Sequence, residues 1–203
     1  QPMIPIQVGK ANIYSVSDGN MTFSRDTFFS SLSEGDWKSY SDYQGPEFDM
    51  NVGSFIISTH ESTVLVDTGL GKLDHHIKQP TRETLLPEIK EAGFSPEDID
   101  TVFITHLHLD HVGTNMTDTQ SGWIPTFPNA RYMVSREDWS LFTRLSNSET
   151  FSYINQQVQP LMDKGILDLF DGETKVSGEI TTLPTPGHTP GHSSLLISSE
   201  GQK

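Results

Sequence analysis

The chain contains no cysteine in its 203 residues. That excludes disulfides, thiolate metal sites and cysteine nucleophiles, and it is compatible with either a reducing or an oxidising compartment, so localisation stays open. Basic residues are scarce as well: 13 Lys and Arg stand against 27 Asp and Glu, a formal net charge of −14. Such a field repels phosphate backbones and anionic lipid, which disfavours nucleic-acid and membrane partners. No apolar run approaches the roughly 18 residues of a membrane span. The opening QPMIPIQ has neither the basic nor the apolar region of a secretory signal. A G-x-S-x-G nucleophile elbow is also missing.

What is present is a chain long enough to bury a core without staples, 33% hydrophobic, read as a single domain over residues 1–203. Strand patterns run from Gln7 to Val16 and from Val52 to Thr68. Within the second, Phe55–Ser58 and Thr63–Val66 flank the polar turn Thr59-His60-Glu61-Ser62 and read as a hairpin. The intervening MTFSRDTFFSSLSEGDWKSYSDYQGPEF is aromatic yet polar and lacks clean periodicity, which predicts a long ordered loop or lid. Leu85, Leu86, Ile89 and Ala92 keep helical spacing before Gly93, and Ser95-Pro96-Glu97-Asp98 reads as a second helix start. The short apolar run TVFIT from Thr101 suggests a strand covered on both faces. Beyond it, strands are expected at Arg131–Ser135, Ile166–Phe170, Ile180–Leu183 and Ser194–Ile197, with helices near Glu137–Leu145 and Glu149–Met162. Strands alternating with helices and mixed with hairpins give a layered α/β or α+β class.

The chemistry is concentrated in THLHLDHVG, Thr105 to Gly113, where His106, His108, Asp110 and His111 fall within six positions after an apolar strand. In extended chain, residues i and i+2 point the same way, so His106 and His108 can meet at one point while Asp110 and His111 come from the following turn. Imidazole nitrogens suit zinc and related divalent ions, and the carboxylate adds charge and an oxygen donor; the set favours two neighbouring ions over one. A catalytic zinc takes three protein ligands and keeps one position open, so a third histidine is needed. TPGHTPGHS supplies His188, with His192 as competitor and more plausibly a supporting residue. His60, His75 and His76 lie in polar stretches and read as surface residues. Trp37, Trp123 and Trp139 read as packing residues, with a pocket role as the alternative.

The order VDTG (Val66 to Gly69), THLHLDHVG, FPNARYMVSREDW (Phe127 to Trp139) and TPGHTPGHS resembles the metallo-β-lactamase-fold hydrolases across nearly the whole chain, and within them the N-acyl homoserine lactonases and methyl parathion hydrolase-like enzymes. The resemblance implies an α+β fold, a four-layer αββα sandwich with two metal ions at one edge of its sheets. It makes His106, His108 and His188 first-site ligands, Asp110 and His111 second-site ligands, and Asp67 the supporting aspartate of the histidine loop. The ions implied are zinc, with iron, manganese and cobalt as alternatives. The family's bridging aspartate, in a G-D motif one strand beyond the third histidine, and its last second-site histidine have no counterpart before Ser199–Lys203. On that comparison the chain reads as incomplete at its C-terminus.

The expected reaction is attack of a metal-bound hydroxide on a small neutral lactone or related ester, with Asp110 orienting the nucleophile or passing its proton to the departing alkoxide. Neutral phosphotriesters are the near alternative. An iron-dependent oxidoreductase and a non-catalytic metal-binding module are the alternatives of other classes, and a homodimer is left open.

Overall fold

The computed structural model describes residues 3–40, 45–73 and 83–203; the expectation for His75 and His76 lies outside them. Its centre is a seven-stranded sheet in the order β1-β2-β3-β4-β5-β8-β9. These strands are β1 (Ile6–Val8), β2 (Ala11–Ser24), β3 (Glu47–Ser58), β4 (Thr63–Val66), β5 (Thr101–Phe103), β8 (Arg131–Ser135) and β9 (Leu167–Phe170). From β1 to β4 neighbours run antiparallel, and the β3–β4 hairpin closes through Thr59 N–H donating to the Ser62 carbonyl. From β4 to β9 they run parallel. Parallel strands need crossovers, which α2 (Leu85–Glu91), α4 (Arg136–Leu145), α5 (Tyr153–Gln157) and α6 (Gln159–Asp163) help to supply. Among the described residues the other α-helices are α1 (Arg25–Phe28) and the single turn α3 (Leu109–Val112).

Two hydrophobic clusters define the layers. On one face of the sheet, Leu85 and Ile89 of α2, Phe142 of α4, Ile154 of α5 and Leu161 of α6 pack against Ile56, Leu65, Val102 and Tyr132. On the other, Ile57, Val64, Phe103 and Phe170 meet Ile180, Leu195 and Ile197 of a second sheet, the hairpin β10 (Ile180–Pro184) and β11 (Ser193–Ile197). The central parallel strands are therefore buried on both faces, and the short run TVF is continuous rather than alternating for that reason. The described residues form three layers: helices, large sheet and hairpin sheet. A smaller hairpin, β6 (Met116–Thr119) and β7 (Gly122–Pro125), stands apart.

Three expectations are corrected. The aromatic segment is not a free loop at its ends: Met21–Ser24 extend β2 and Glu47–Met50 extend β3, in register at Phe23↔Phe48 after a bulge between Ser17 and Asn20. Its rings pack on one another, Phe23, Phe28, Phe29 and Phe48 in contact, with the buried Arg25 guanidinium over Trp37 at 5.2 Å. The segment beginning at Ser95 makes one 3-10 turn, Pro96–Asp98, closed by a capping box between Ser95 and Asp98. The expected helix from Glu149 to Met162 is broken into a 3-10 turn (Glu149–Phe151), α5 and α6, with Pro160 contributing no N–H at the start of the last piece.

Candidate metal centre

Asp67 follows directly on β4, and Thr105 lies two residues beyond β5, so both sit at the carboxyl ends of adjacent parallel strands, where open α/β sheets place their ligands. Asp67 takes a left-handed backbone, φ 62°, which aspartate tolerates better than most residues. Its Oδ1 accepts from the Thr105 N–H at 2.8 Å and its Oδ2 from the Thr105 hydroxyl at 2.8 Å. The turn carrying Asp110 and His111 is sewn to the same edge: Thr68 N–H donates to the His111 carbonyl and Gly113 N–H to the Gly69 carbonyl. At Gly113 a Cβ would lie 2.0 Å from the Leu70 carbonyl oxygen, so only glycine permits this approach.

One nitrogen from each of His106, His108 and His188 lies within 4.8 Å of the others. His108 Nδ1 and His188 Nε2 are 2.9 Å apart, and the His106 ring centroid is 4.8 Å from that of His108 and 4.7 Å from that of His188. His106 is buried; its Nδ1 lies 3.0 Å from the Thr105 hydroxyl, and its Nε2 has no hydrogen-bond partner. An orphaned buried nitrogen costs about 1–3 kcal/mol. A divalent ion shared with His108 and His188 would satisfy it, so the residues fit a metal. Burial, reinforced by the surrounding imidazoles, holds the His106 pKa far below the ordinary histidine range, and burial with His188 lowers that of His108. Neutral imidazole is the form that ligates.

Asp110 and His111 stand beside this cluster as a pair. His111 donates from Nδ1 to Asp67 Oδ2 at 2.7 Å, its Nε2 lies 3.3 Å from Asp110 Oδ2, and its ring centroid is 3.9 Å from that of His106. Burial opposes the charged imidazolium, but the Asp67 charge and the hydrogen bonds that the ring donates to Asp110 and Asp67 outweigh it and push the pKa up to about 10. Burial likewise acts to raise the Asp110 pKa, yet the His111 hydrogen bond and charge leave it below the usual carboxylate value.

The ring centroid of His192 is 5.1 Å from that of His106, and its Nδ1 lies 2.9 Å from the Thr185 hydroxyl; it is outside the convergent group. His60 is exposed. Trp37 lines a groove of about 490 Å³ with Phe29, Leu32, Tyr40 and Phe48, Trp123 is exposed on β7, and Trp139 packs on the main core. Two residues escape a sequence reading. Tyr153 donates its hydroxyl to the Leu107 carbonyl at 2.8 Å, and Asp138, fully buried, accepts from the Leu107 N–H at 3.1 Å. The S-x-x-D pattern of Ser135 and Asp138 is visible in the sequence, but it signals a helix start and nothing more. Ser135 does cap α4 by accepting from the Asp138 N–H.

Comparison with known proteins shows what the chain is similar to. An N-acyl homoserine lactonase from a Bacillus species is 28% identical over 171 residues, 77% of this chain and 62% of that protein. The N-acyl homoserine lactonase AttM of Rhizobium radiobacter is 34% identical over 122 residues, 57% of this chain and 42% of that one. Among solved structures, the dizinc quorum-quenching lactonase AidC, in complex with a product, superposes with a TM-score of 0.77 at 24% identity, covering 98% of this chain and 71% of that one. The hydrolase AbOPH reaches a TM-score of 0.80 at 24% identity, covering 98% and 71%. At such identities the structures speak for the fold alone. The chain thus spans about three fifths of the Bacillus lactonase, and its residues 49–203 match the profile of the metallo-beta-lactamase superfamily, to which it belongs.

Proposed function

We propose that the chain belongs to a zinc-dependent hydrolase that opens a small neutral lactone or related ester. The observation that carries this reading is the convergence of three imidazoles around the unpartnered, buried His106 Nε2. Relatives named as N-acyl homoserine lactonases support the substrate class, and the three-imidazole donor set suits zinc. Residues 1–203 are read as one domain.

In this reading His106, His108 and His188 hold the first ion, and Asp110 and His111 contribute to a second. Zinc, when bound, lowers the pKa of its water and polarises an ester carbonyl. The chain's own residues do the rest. Asp67 fixes Thr105 and His111, and thereby both ends of the histidine loop. Asp110, partly buried at the edge of the cluster, is placed to take a proton and return it to the departing alkoxide.

The test is turnover of N-hexanoyl-homoserine lactone by the purified, zinc-loaded protein, followed by acid release, beside a neutral aryl phosphotriester. Zinc-dependent ring opening that chelator abolishes is expected. Preferential phosphotriester cleavage would move the substrate class, and zinc binding without turnover of either would leave a metal-binding module.

A further inference from the structure

The nitrogens of His108 and His188 lie 2.9 Å apart although 80 positions separate the residues in sequence. Some group must fix the distance between the two turns that carry them. Among the described residues, one backbone bond, from the Ser193 N–H to the Thr105 carbonyl, joins the flanks of the two turns, and Asp138, in the first turn of α4, is the side chain that bonds to both turns themselves. Its Oδ2 accepts from the Leu107 N–H, between His106 and His108, and from the hydroxyl of Thr189, next to His188, at 2.9 Å. Its Oδ1 accepts from the Gly191 N–H at 2.7 Å. Gly191 is required for that approach, since a Cβ there would stand 2.7 Å from Asp138 Oδ1 and 2.0 Å from Ser135 Oγ. The next peptide is held as well, since the Leu107 carbonyl accepts from the Tyr153 hydroxyl.

We infer that Asp138 is a positioning residue: one buried carboxylate clamps the His106–His108 turn to the His188 turn and so sets the mouth of the three-histidine site before any metal arrives. The inference rests on the metal-centre reading above. A buried carboxylate accepting from two backbone N–H groups and a hydroxyl forms strong, charge-assisted bonds, and groups that orient ligands in this way are worth about 10–100-fold in metal affinity. The carboxylate touches neither substrate nor the imidazoles and acts through their backbones.

The chemistry selects the test. In Asp138→Asn the amide NH2 must face either the Gly191 N–H or the Leu107 N–H, because neither backbone donor can reverse; one orientation breaks the bond to the His106–His108 turn, and the other leaves the Thr189 hydroxyl as the sole tie to the His188 turn. Zinc affinity is measured by chelator competition on the 203-residue chain, with the visible absorption of the cobalt-loaded protein as reporter of ligand geometry and circular dichroism as reporter of folding. The expected result is a folded variant whose first zinc binds at least about tenfold more weakly, with an altered cobalt spectrum. Thr189→Val, which removes one donor and leaves both backbone bonds, should give a smaller loss, about threefold. A folded Asp138→Asn with wild-type zinc affinity and cobalt spectrum would overturn the inference while leaving the metal centre intact. If Asp138→Asn does not fold, Thr189→Val decides, and wild-type zinc affinity in that variant would overturn it too. A wild-type chain that binds no zinc would remove the metal reading itself and this inference with it.

Discussion

Asp67 Oδ2 accepts a hydrogen bond from His111 Nδ1 at 2.7 Å, and Asp67 does so from a backbone held at φ 62°. A left-handed non-glycine residue costs about 1–2 kcal/mol, and this one persists because its carboxylate also takes both donors of Thr105. Asp67→Ala removes those acceptors while retaining the unfavourable backbone. The metal-free variant should lose about 2–3 kcal/mol of stability, the penalty of leaving the Thr105 and His111 donors unpaired. Urea unfolding with chelator present measures it; a loss under about 0.5 kcal/mol, the range of a neutral surface change, would remove Asp67 as the support of this loop.

The His111 proton gives a pH dependence with a definite sign. In the metal-free protein its pKa is pushed up to about 10 from an ordinary 6.5, so the stabilisation is complete below about pH 6.5 and is lost as pH rises through about 10. The stability difference between wild type and His111→Gln should therefore shrink steadily across that window. A difference that stays constant from pH 6.5 to 10 would contradict the assignment.

Much of this edge was legible beforehand, and what was legible shares a physical cause. His106, His108, Asp110 and His111 are neighbours in the chain, so their spacing alone places them together at a strand end. Strand β8 was readable to the residue because Tyr132, Met133 and Val134 form a short apolar run after Asn-Ala, and Ser135 at its end caps the following helix. The extension of β2 and β3 was not, because Thr22, Ser24, Glu47 and Asp49 on its exposed side hide the pairing that only the partner strand reveals. Asp138 was hidden for a different reason: its three donors, on Leu107, Thr189 and Gly191, are assembled by tertiary structure from two distant turns.

His188 and His192 separate by the same logic. His188 contributes a nitrogen to the convergent group, whereas His192 is engaged with Thr185. His188→Ala should abolish the tight zinc equivalent, and His192→Ala should weaken it by less than about tenfold, the lower bound for a residue that orients a ligand. Chelator-competition titration of the two variants distinguishes them; equal losses would mean that the His188 assignment is wrong.

A second zinc should bind less tightly than the first. Both nitrogens of His111 face carboxylates, Asp67 and Asp110, and its raised pKa means that an ion must displace a proton to reach it. Among the described residues, the three-histidine set is the group whose donors already converge. Calorimetric titration at pH 7 should show one tight equivalent and a weaker one accompanied by proton release. Two equally tight equivalents would show that another donor completes the second site.

Asp110 offers the sharpest test of the chemistry. If its carboxylate carries a proton to the departing alkoxide, Asp110→Asn should lower kcat for lactones, whose alkoxides leave poorly without protonation, by about 10²–10⁴-fold, the usual worth of general acid catalysis. Aryl esters and aryl phosphotriesters, whose leaving groups depart as stable anions, should lose much less. Because Asp110 is also proposed to ligate, zinc content must be measured in each preparation, since loss of an ion would depress every substrate alike. Equal losses across leaving groups at unchanged zinc occupancy would reduce Asp110 to a ligand. Its hydrogen bond to His111 would then matter only for holding that ring, and the proton would have to reach the alkoxide by another route.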